Sequence, residues 1–246
     1  MPALEGDTPN QFQGRILNAE PSPFDERDLL FAPDTAAPPP VRFVATGMGP
    51  VYNQGNTGTC GAHGGAGIRA WQQKRDHRGV PNIDIFRLYD LVKNVVDKQP
   101  DPRRVIGTTI RSVFRLLKGT GTPLKGVSAP GAGGKVETYW RITDADELLM
   151  KRALMKHGPL LVRCDWDAGW MRLPFSKILA APLGRIVGGH IFVIFGWDDR
   201  VNGGSWLMRN SWGRWSFLGN GNAYMAFRYF RFKRPEAWAS TDIPGN

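Results

Sequence analysis

The residues that decide the fold of this chain are Gln54-Gly55-Asn56-Thr57-Gly58-Thr59-Cys60-Gly61-Ala62-His63-Gly64-Gly65-Ala66-Gly67. The first half reads as a polar loop punctuated by glycine, and the second half predicts a helix continuing to about Arg75. Each glycine costs a helix interior up to about 1 kcal/mol against alanine. Glycines at 61, 64, 65 and 67 therefore make sense only if other elements press closely on that face. The helix is expected at the centre of the fold, buried, with Cys60 at its N-terminus. A thiol there feels the positive end of the helix dipole, which lowers its pKa and suits an activated nucleophile. Cysteine is also among the most buried residue types, so a lone cysteine is more often core. Cys164, in Val162-Arg163-Cys164-Asp165, is read that way.

Working outward, a helix is predicted over residues 83–96, with Ile85, Leu88, Tyr89, Val92 and Val96 at helical spacing. Another is predicted over 108–118, with Ile110, Val113, Phe114 and Leu117 on one face and Gly119 and Gly121 ending it. A third covers 144–157, with Asp144 as its N-cap. Short β-like runs follow at 160–163, 190–195, 205–209 and 223–227. Ile191-Phe192-Val193-Ile194-Phe195 is continuously apolar and predicts a strand buried on both faces. Helices first and strands second imply an α+β chain with two lobes: a helical lobe over about 55–135 and a β lobe over about 136–234, within a body of 44–234. Residues 1–43, with Pro38-Pro39-Pro40, read as an extended arm wrapped on the surface and anchored by Leu29, Leu30 and Phe31. Residues 235–246 read as a C-terminal tail.

The 246 residues are 41% hydrophobic and 11% aromatic, enough for a sizeable core and against a disordered chain. No run approaches the roughly 18 apolar residues of a membrane span. The start, Met1-Pro2-Ala3-Leu4-Glu5-Gly6-Asp7, has neither a basic nor an apolar leader region. The protein is therefore expected in the cytoplasm of its producing cell, or exported by a machine that needs no signal peptide. Two cysteines exclude a disulfide scaffold and multi-cysteine zinc sites and fit a reducing compartment; no metal or cofactor is expected. The net charge of +10 is uneven. Residues 1–50 carry three basic against seven acidic residues, about −4, whereas residues 69–118 carry twelve against five, about +7. A basic body suits an acidic protein partner, and also suits the acidic arm lying on it. Nucleic acid is disfavoured by the lack of a basic run or a recognisable binding motif.

An activated thiol needs a base, and the chain offers His63, His77, His157 and His190. His63 lies one turn along the Cys60 helix, with its side chain directed elsewhere. His77, among Arg75, Asp76 and Arg78, is expected to be exposed. His157 closes a helix before Gly158-Pro159, where an imidazolium suits the dipole. His190 heads the most apolar strand, after Gly188-Gly189. A polar ring starting a buried strand must find a partner, which makes it the best candidate base. Asn210, in Arg209-Asn210-Ser211-Trp212-Gly213, can bond its second nitrogen if the strands from 190 and 205 pair antiparallel.

Taken in order, Gln54-Gly55, Gly58-Thr59-Cys60-Gly61-Ala62, Gly189-His190 and Asn210-Ser211-Trp212-Gly213 resemble a papain-like cysteine peptidase of the bacterial type without disulfides. About 130 residues separate Cys60 from His190, and 20 more lead to Asn210. The match spans roughly 48–228, and Pro23-Phe24-Asp25-Glu26-Arg27-Asp28 is similar to a segment that often precedes the bacterial catalytic domain. The resemblance implies a papain-like two-lobed α+β fold, with a helical left lobe around the Cys-bearing helix and an antiparallel β-barrel-like right lobe. It implies that Cys60 attacks the carbonyl of a peptide or isopeptide bond, and that His190 pairs with the thiolate and protonates the leaving amine. Asn210 would orient His190, Gln54 and the Cys60 backbone N–H would form the oxyanion hole, and Trp212 would shield the site. Gly107 would pair with an extended polypeptide substrate. The enzyme would act as a monomer, and the arm would restrain the cleft as a propeptide does. Hydrolysis and acyl transfer to an amine remain alternatives for the same core.

Three departures bear on specificity. Gly61 stands where an aromatic often follows the nucleophile, and is expected to open the cleft there. Trp215-Ser216 replaces a second Trp-Gly, and the segment from Thr122-Pro123-Leu124 to Ala129-Pro130-Gly131 replaces an aromatic-Pro-aromatic feature. The competing reading is a catalytically idle papain-like fold that binds protein or nucleic acid. Gln54, Cys60, His190 and Asn210 together argue against it, because an idle site has no chemical need of all four.

Overall fold

A computed structural model of the chain describes residues 11–34, 37–76, 78–215 and 220–242. The glycine-rich segment is helix α1, Cys60–Arg75, buried from Cys60 to Gln73. A Cβ at Gly64 would stand 2.5 Å from Leu161 Cδ1, and one at Gly65 would stand 2.7 Å from Val113 Cγ1. Both sides of the helix are thus in backbone-close contact, which offsets the helix cost of glycine. Two further helices complete this lobe. Helix α2, Ile85–Leu91, is capped by Asp84, which accepts from Arg87 N–H, and runs on as a π-helical turn, Val92–Val96. Helix α3, Ile110–Gly119, is capped by Thr109, which accepts from Ser112 N–H. Ile68, Leu88, Tyr89, Val113, Phe114 and Leu117 fill the core between these helices.

The other lobe is built on a seven-stranded sheet. Its members are β3 (Arg42–Val44), β4 (Val136–Ile142), β5 (Leu160–Asp167), β6 (Ile186–Asp198), β7 (Ser205–Arg209), β8 (Asn222–Ala226) and β9 (Glu236–Asp242). The order is β4-β9-β5-β6-β7-β8, with β3 also on β6, and every pairing is antiparallel. The outer strands β4 and β8 do not meet, so the sheet is open, and the barrel-like description of this lobe is too loose. Strand β6 is buried on both faces, as its apolar run predicts. Ile191, Val193 and Phe195 belong to the core around α1, and Phe192 and Ile194 to a second core with α4 (Glu147–His157) and α5 (Phe227–Arg231). A two-residue hairpin near the N-terminus pairs β1 (Gln11–Phe12) with β2 (Arg15–Ile16).

Three expectations are corrected. The N-cap of α4 is Asp146, accepting from Leu149 N–H; Asp144 lies in a preceding 3₁₀ turn with φ 50°. The segment read as a C-terminal tail supplies β9, between β4 and β5. In the arm, Leu29 and Leu30 are exposed, while Ile16, Leu17, Ala19 and Phe31 are the buried anchors. Leu29 and Phe31 hold the body through their backbones, Arg141 N–H donating to Leu29 O and Phe31 N–H to Arg141 O. The charge asymmetry of the sequence is realised. Asp28 pairs with Arg111, Asp25 with Arg115 and Asp34 with Lys156.

Candidate active site

Helix α1 packs on strand β6, and there the Cys60 thiol faces the backbone N–H of Ile191, the residue after His190. His190 Nε2 lies 2.8 Å from Asn210 Oδ1. That oxygen also accepts the Ser211 N–H at 2.7 Å. An oxygen already receiving an N–H is fixed as an acceptor, so His190 must carry its proton on Nε2. The lone pair is thereby placed on Nδ1, which is buried and makes no hydrogen bond among the described residues. Strands β6 and β7 pair antiparallel, as expected, and bring the two residues together. The imidazole sits in an aromatic box, 4.9 Å from Trp212 and 4.8 Å from Trp166 by ring centroids. Trp212 thus packs against the imidazole that bonds Asn210. Trp166 is not signalled by any motif.

Cys60 opens α1 and is 1% exposed. Burial pushes its thiol up to about 11, against the backbone N–H groups of Ile191, Gly61 and Cys60, which favour the thiolate. Ile191 directly follows His190, so the thiol reaches the strand within one residue of the imidazole. Burial likewise presses His190 down to about 4, and the Arg15 guanidinium adds to this. Burial thus favours a neutral thiol and a neutral imidazole, where the helix dipole alone would predict a lowered thiol pKa.

Gln54 is 1% exposed. Its Oε1 accepts from Ser211 Oγ at 2.7 Å and its Nε2 donates to Thr57 O at 2.7 Å, leaving the second N–H of the amide. Ser211 thus joins Gln54 to Asn210, through its hydroxyl on one side and its N–H on the other. Only its place beside Asn210 in the sequence hinted at this.

The cleft is occupied by the arm. A Cβ on Gly107 would fall 1.5 Å from Asn18 O, and Cβ atoms on Gly188 and Gly189 would fall 2.1 and 2.0 Å from Leu17 O and Ala19 O. Gly189 N–H donates to Leu17 O at 3.0 Å and Ala19 N–H to Gly189 O at 3.1 Å, while Asn18 Nδ2 donates to Val105 O at 2.7 Å. Gly107 is therefore where an extended chain lies, and here that chain is the protein's own. Arg15 reaches the loop before Cys60: Nη1 donates to Gly55 O at 2.7 Å, and the guanidinium lies 5.3 Å from the Trp212 ring centroid.

The remaining histidines stand apart. His63 Nδ1 bonds Thr59 O at 3.0 Å, and burial lowers the ring to about 4. His157 is also lowered to about 4 by burial and stacks on Trp140 at 4.6 Å, so it is neutral rather than an imidazolium serving a helix dipole. His77 and Ser216 lie outside the described residues. Burial raises the Cys164 thiol to about 12, as suits a core residue. Gly61 does not open the cleft, because its Cβ position is filled by Thr108 Cγ2 at 2.7 Å and Val113 Cγ2 at 3.3 Å. Among the described residues no cluster of His, Cys, Asp and Glu is placed to hold a metal ion, and no helix is long and apolar enough to cross a membrane.

Residues 51–231 match the family model of papain family cysteine proteases. Among solved structures, the chain is similar to xylellain, a cysteine protease from Xylella fastidiosa, with a TM-score of 0.77 at 19% identity over 92% of this chain and 96% of that one. It is also similar to procathepsin B S9 from Trypanosoma congolense, with a TM-score of 0.73 at 14% identity over 94% and 87%. The cysteine protease and lectin-like domains of Cwp84 from Clostridium difficile give a TM-score of 0.69 at 15% identity, over 95% of this chain and 57% of that one. No curated protein matches the sequence significantly.

Proposed function

Since the chain belongs to the papain family of cysteine proteases, we propose that it cleaves peptide or isopeptide bonds through Cys60, His190 and Asn210. The observation that carries this reading is the orientation of His190. The Ser211 N–H fixes Asn210 Oδ1 as an acceptor, so the imidazole presents an unprotonated Nδ1. Once the arm leaves and water enters, the Cys60 proton passes to Nδ1, and the thiolate attacks the scissile carbonyl carbon. The carbonyl oxygen takes the negative charge and is held by the Cys60 N–H and the free Gln54 amide N–H. Collapse of this intermediate breaks the C–N bond, and the His190 Nδ1 proton goes to the leaving amine. A thioester remains. Water, deprotonated by Nδ1, attacks it, and the returning proton regenerates the thiol.

The arm lies where substrate must lie, and we read it as an internal block of the cleft. The test is labelling of the full-length protein by a thiol-reactive peptidyl epoxide, mapped by mass spectrometry. One label per chain on Cys60, absent in Cys60→Ala and strongly slowed in His190→Ala, is expected. Labelling on Cys164, or labelling of Cys60 indifferent to His190→Ala, would overturn the assignment.

A further inference from the structure

Beside the arm the cleft keeps an open groove of about 810 Å³, walled by residues 105–107 of one lobe and 186–189 of the other. Four guanidinium groups line it, from Arg103, Arg163, Arg185 and Arg234, against a single carboxylate of the body, Asp165. That carboxylate is shared. Its Oδ1 lies 2.8 Å from Arg163 Nη1 and its Oδ2 lies 2.5 Å from Arg234 Nε. One carboxylate between two guanidinium groups leaves a positive charge. Arg103 and Arg185 are exposed and add two more, with no carboxylate within ion-pair distance among the described residues.

Arg163 is the distinctive member. Its side chain is only 5% exposed, so the cation is kept where desolvation opposes it. It lies under the peptide track, with Nε 3.4 Å from Ala19 O and Nη2 2.6 Å from the Cβ position of Gly189. A side chain at 189 would separate the guanidinium from the track, and glycine lets the two meet. The arm brings one acid to the groove, which makes no ion pair with these guanidinium groups among the described residues. Within residues 15–22 its one acid is Glu20, and Glu20 lines the groove.

Building on the peptidase reading above, we propose that the groove selects polypeptide substrates carrying an acidic side chain on the stretch held between Gly107 and Gly189, with Arg163, Arg103 and Arg185 as the selecting residues. Arg163 supplies a fixed cation in a site sheltered from salt. Arg103 and Arg185, the latter 5.2 Å from the ring centroid of Phe12 of the arm, supply exposed ones at the rim, whose attraction is screened over about 10 Å at 0.1 M salt.

The experiment uses full-length Cys60→Ala, which binds without turnover, and a pair of fluorescein-labelled peptides differing only by Glu→Gln. The arm weakens both peptides equally, so the ratio of their dissociation constants is the readout. A preference of about two- to fivefold for the Glu peptide is expected. It should shrink with added salt and fall toward unity in Cys60→Ala carrying Arg103→Glu and Arg185→Glu, both exposed and safe for folding. A ratio near one in Cys60→Ala, or a ratio indifferent to the charge reversals, overturns the proposal. Epoxide labelling of the wild-type protein keeps the two readings apart. Acid-selective binding without labelling leaves the recognition and removes the peptidase; labelling without acid selectivity does the reverse.

Discussion

Replacing Asp28 by alanine should open the cleft. Asp28 Oδ1 accepts from Arg111 Nε at 2.8 Å, its Oδ2 meets Arg111 Nη2, and Arg141 Nη1 stands 3.7 Å away. Both members of the Asp28–Arg111 pair have side chains 7% exposed. Removing one partner of a buried pair costs about 3–5 kcal/mol, mostly because the other charge is left uncompensated. In the open form water solvates Arg111, so that cost falls on the closed form alone. At about 1.36 kcal/mol per factor of ten, even the lower figure moves the opening equilibrium about 10²-fold. The assay is the second-order rate of Cys60 labelling by a peptidyl epoxide, with the melting temperature taken in parallel. Labelling should rise by about two orders of magnitude, up to the limit set by a fully open arm, and Asp28→Asn should fall between. A folded Asp28→Ala protein that labels at the wild-type rate would refute the idea that this ion pair holds the gate.

Arg15→Ala loses the 2.7 Å bond to Gly55 O and the cation beside Trp212. At about 1 kcal/mol for such a bond, labelling of Cys60 should rise about fivefold, and a fall would show that Arg15 assists the site instead. Ser211→Ala frees Gln54 Oε1. Since losing an oxyanion donor outright costs about 10²–10³ in rate, loosening one should lower kcat about tenfold with KM little changed and Ser211→Thr restoring most of it; a change confined to KM would argue against a positioning role. Burial holds His63, His157 and His190 near 4, below the ordinary 6.5. Between pH 6.5 and 4 the unfolded chain therefore binds more protons than the folded one, so stability falls as pH falls through that window. Melting temperature measured from pH 7 to 4.5 should drop steadily, and a flat profile would contradict the buried neutral rings.

What the sequence discloses follows from where its signals come from. Helix α1 is legible because glycines at 61, 64 and 65 only make sense under close packing, and Leu161 and Val113 provide it. Strand β6 is legible because Ile191–Phe195 admits no polar face. Strand β9 is not, because Ala237, Ala239 and Ser240 are buried small residues with little hydrophobic signal. The path of the arm is hidden for a related reason: backbone groups of Gly189 and Thr108 hold it while Gly107 and Gly188 leave room for it, and backbone pairing leaves no side-chain pattern. The glycine pair before His190 was the available sign, since it leaves room for another chain. Pro23-Phe24-Asp25-Glu26-Arg27-Asp28 is explained by its acids, which fasten the arm to Arg111 and Arg115 of α3 and to Arg141 of β4.

Orientation and ionisation are separated in this molecule. The hydrogen bonds that set the site, from Ser211 to Gln54 and Asn210 and from Asn210 to His190, are complete with the arm in place. Ionisation is opposed, because burial lifts the Cys60 thiol and lowers the His190 imidazole, while Arg15 of the arm adds repulsion at His190. On the proposed mechanism, removing the arm should act on both at once, vacating the track and admitting the water that would let a proton move from sulfur to nitrogen. We therefore propose that opening of the cleft is controlled by the contacts of the arm, and above all by the buried pair of Asp28 with Arg111.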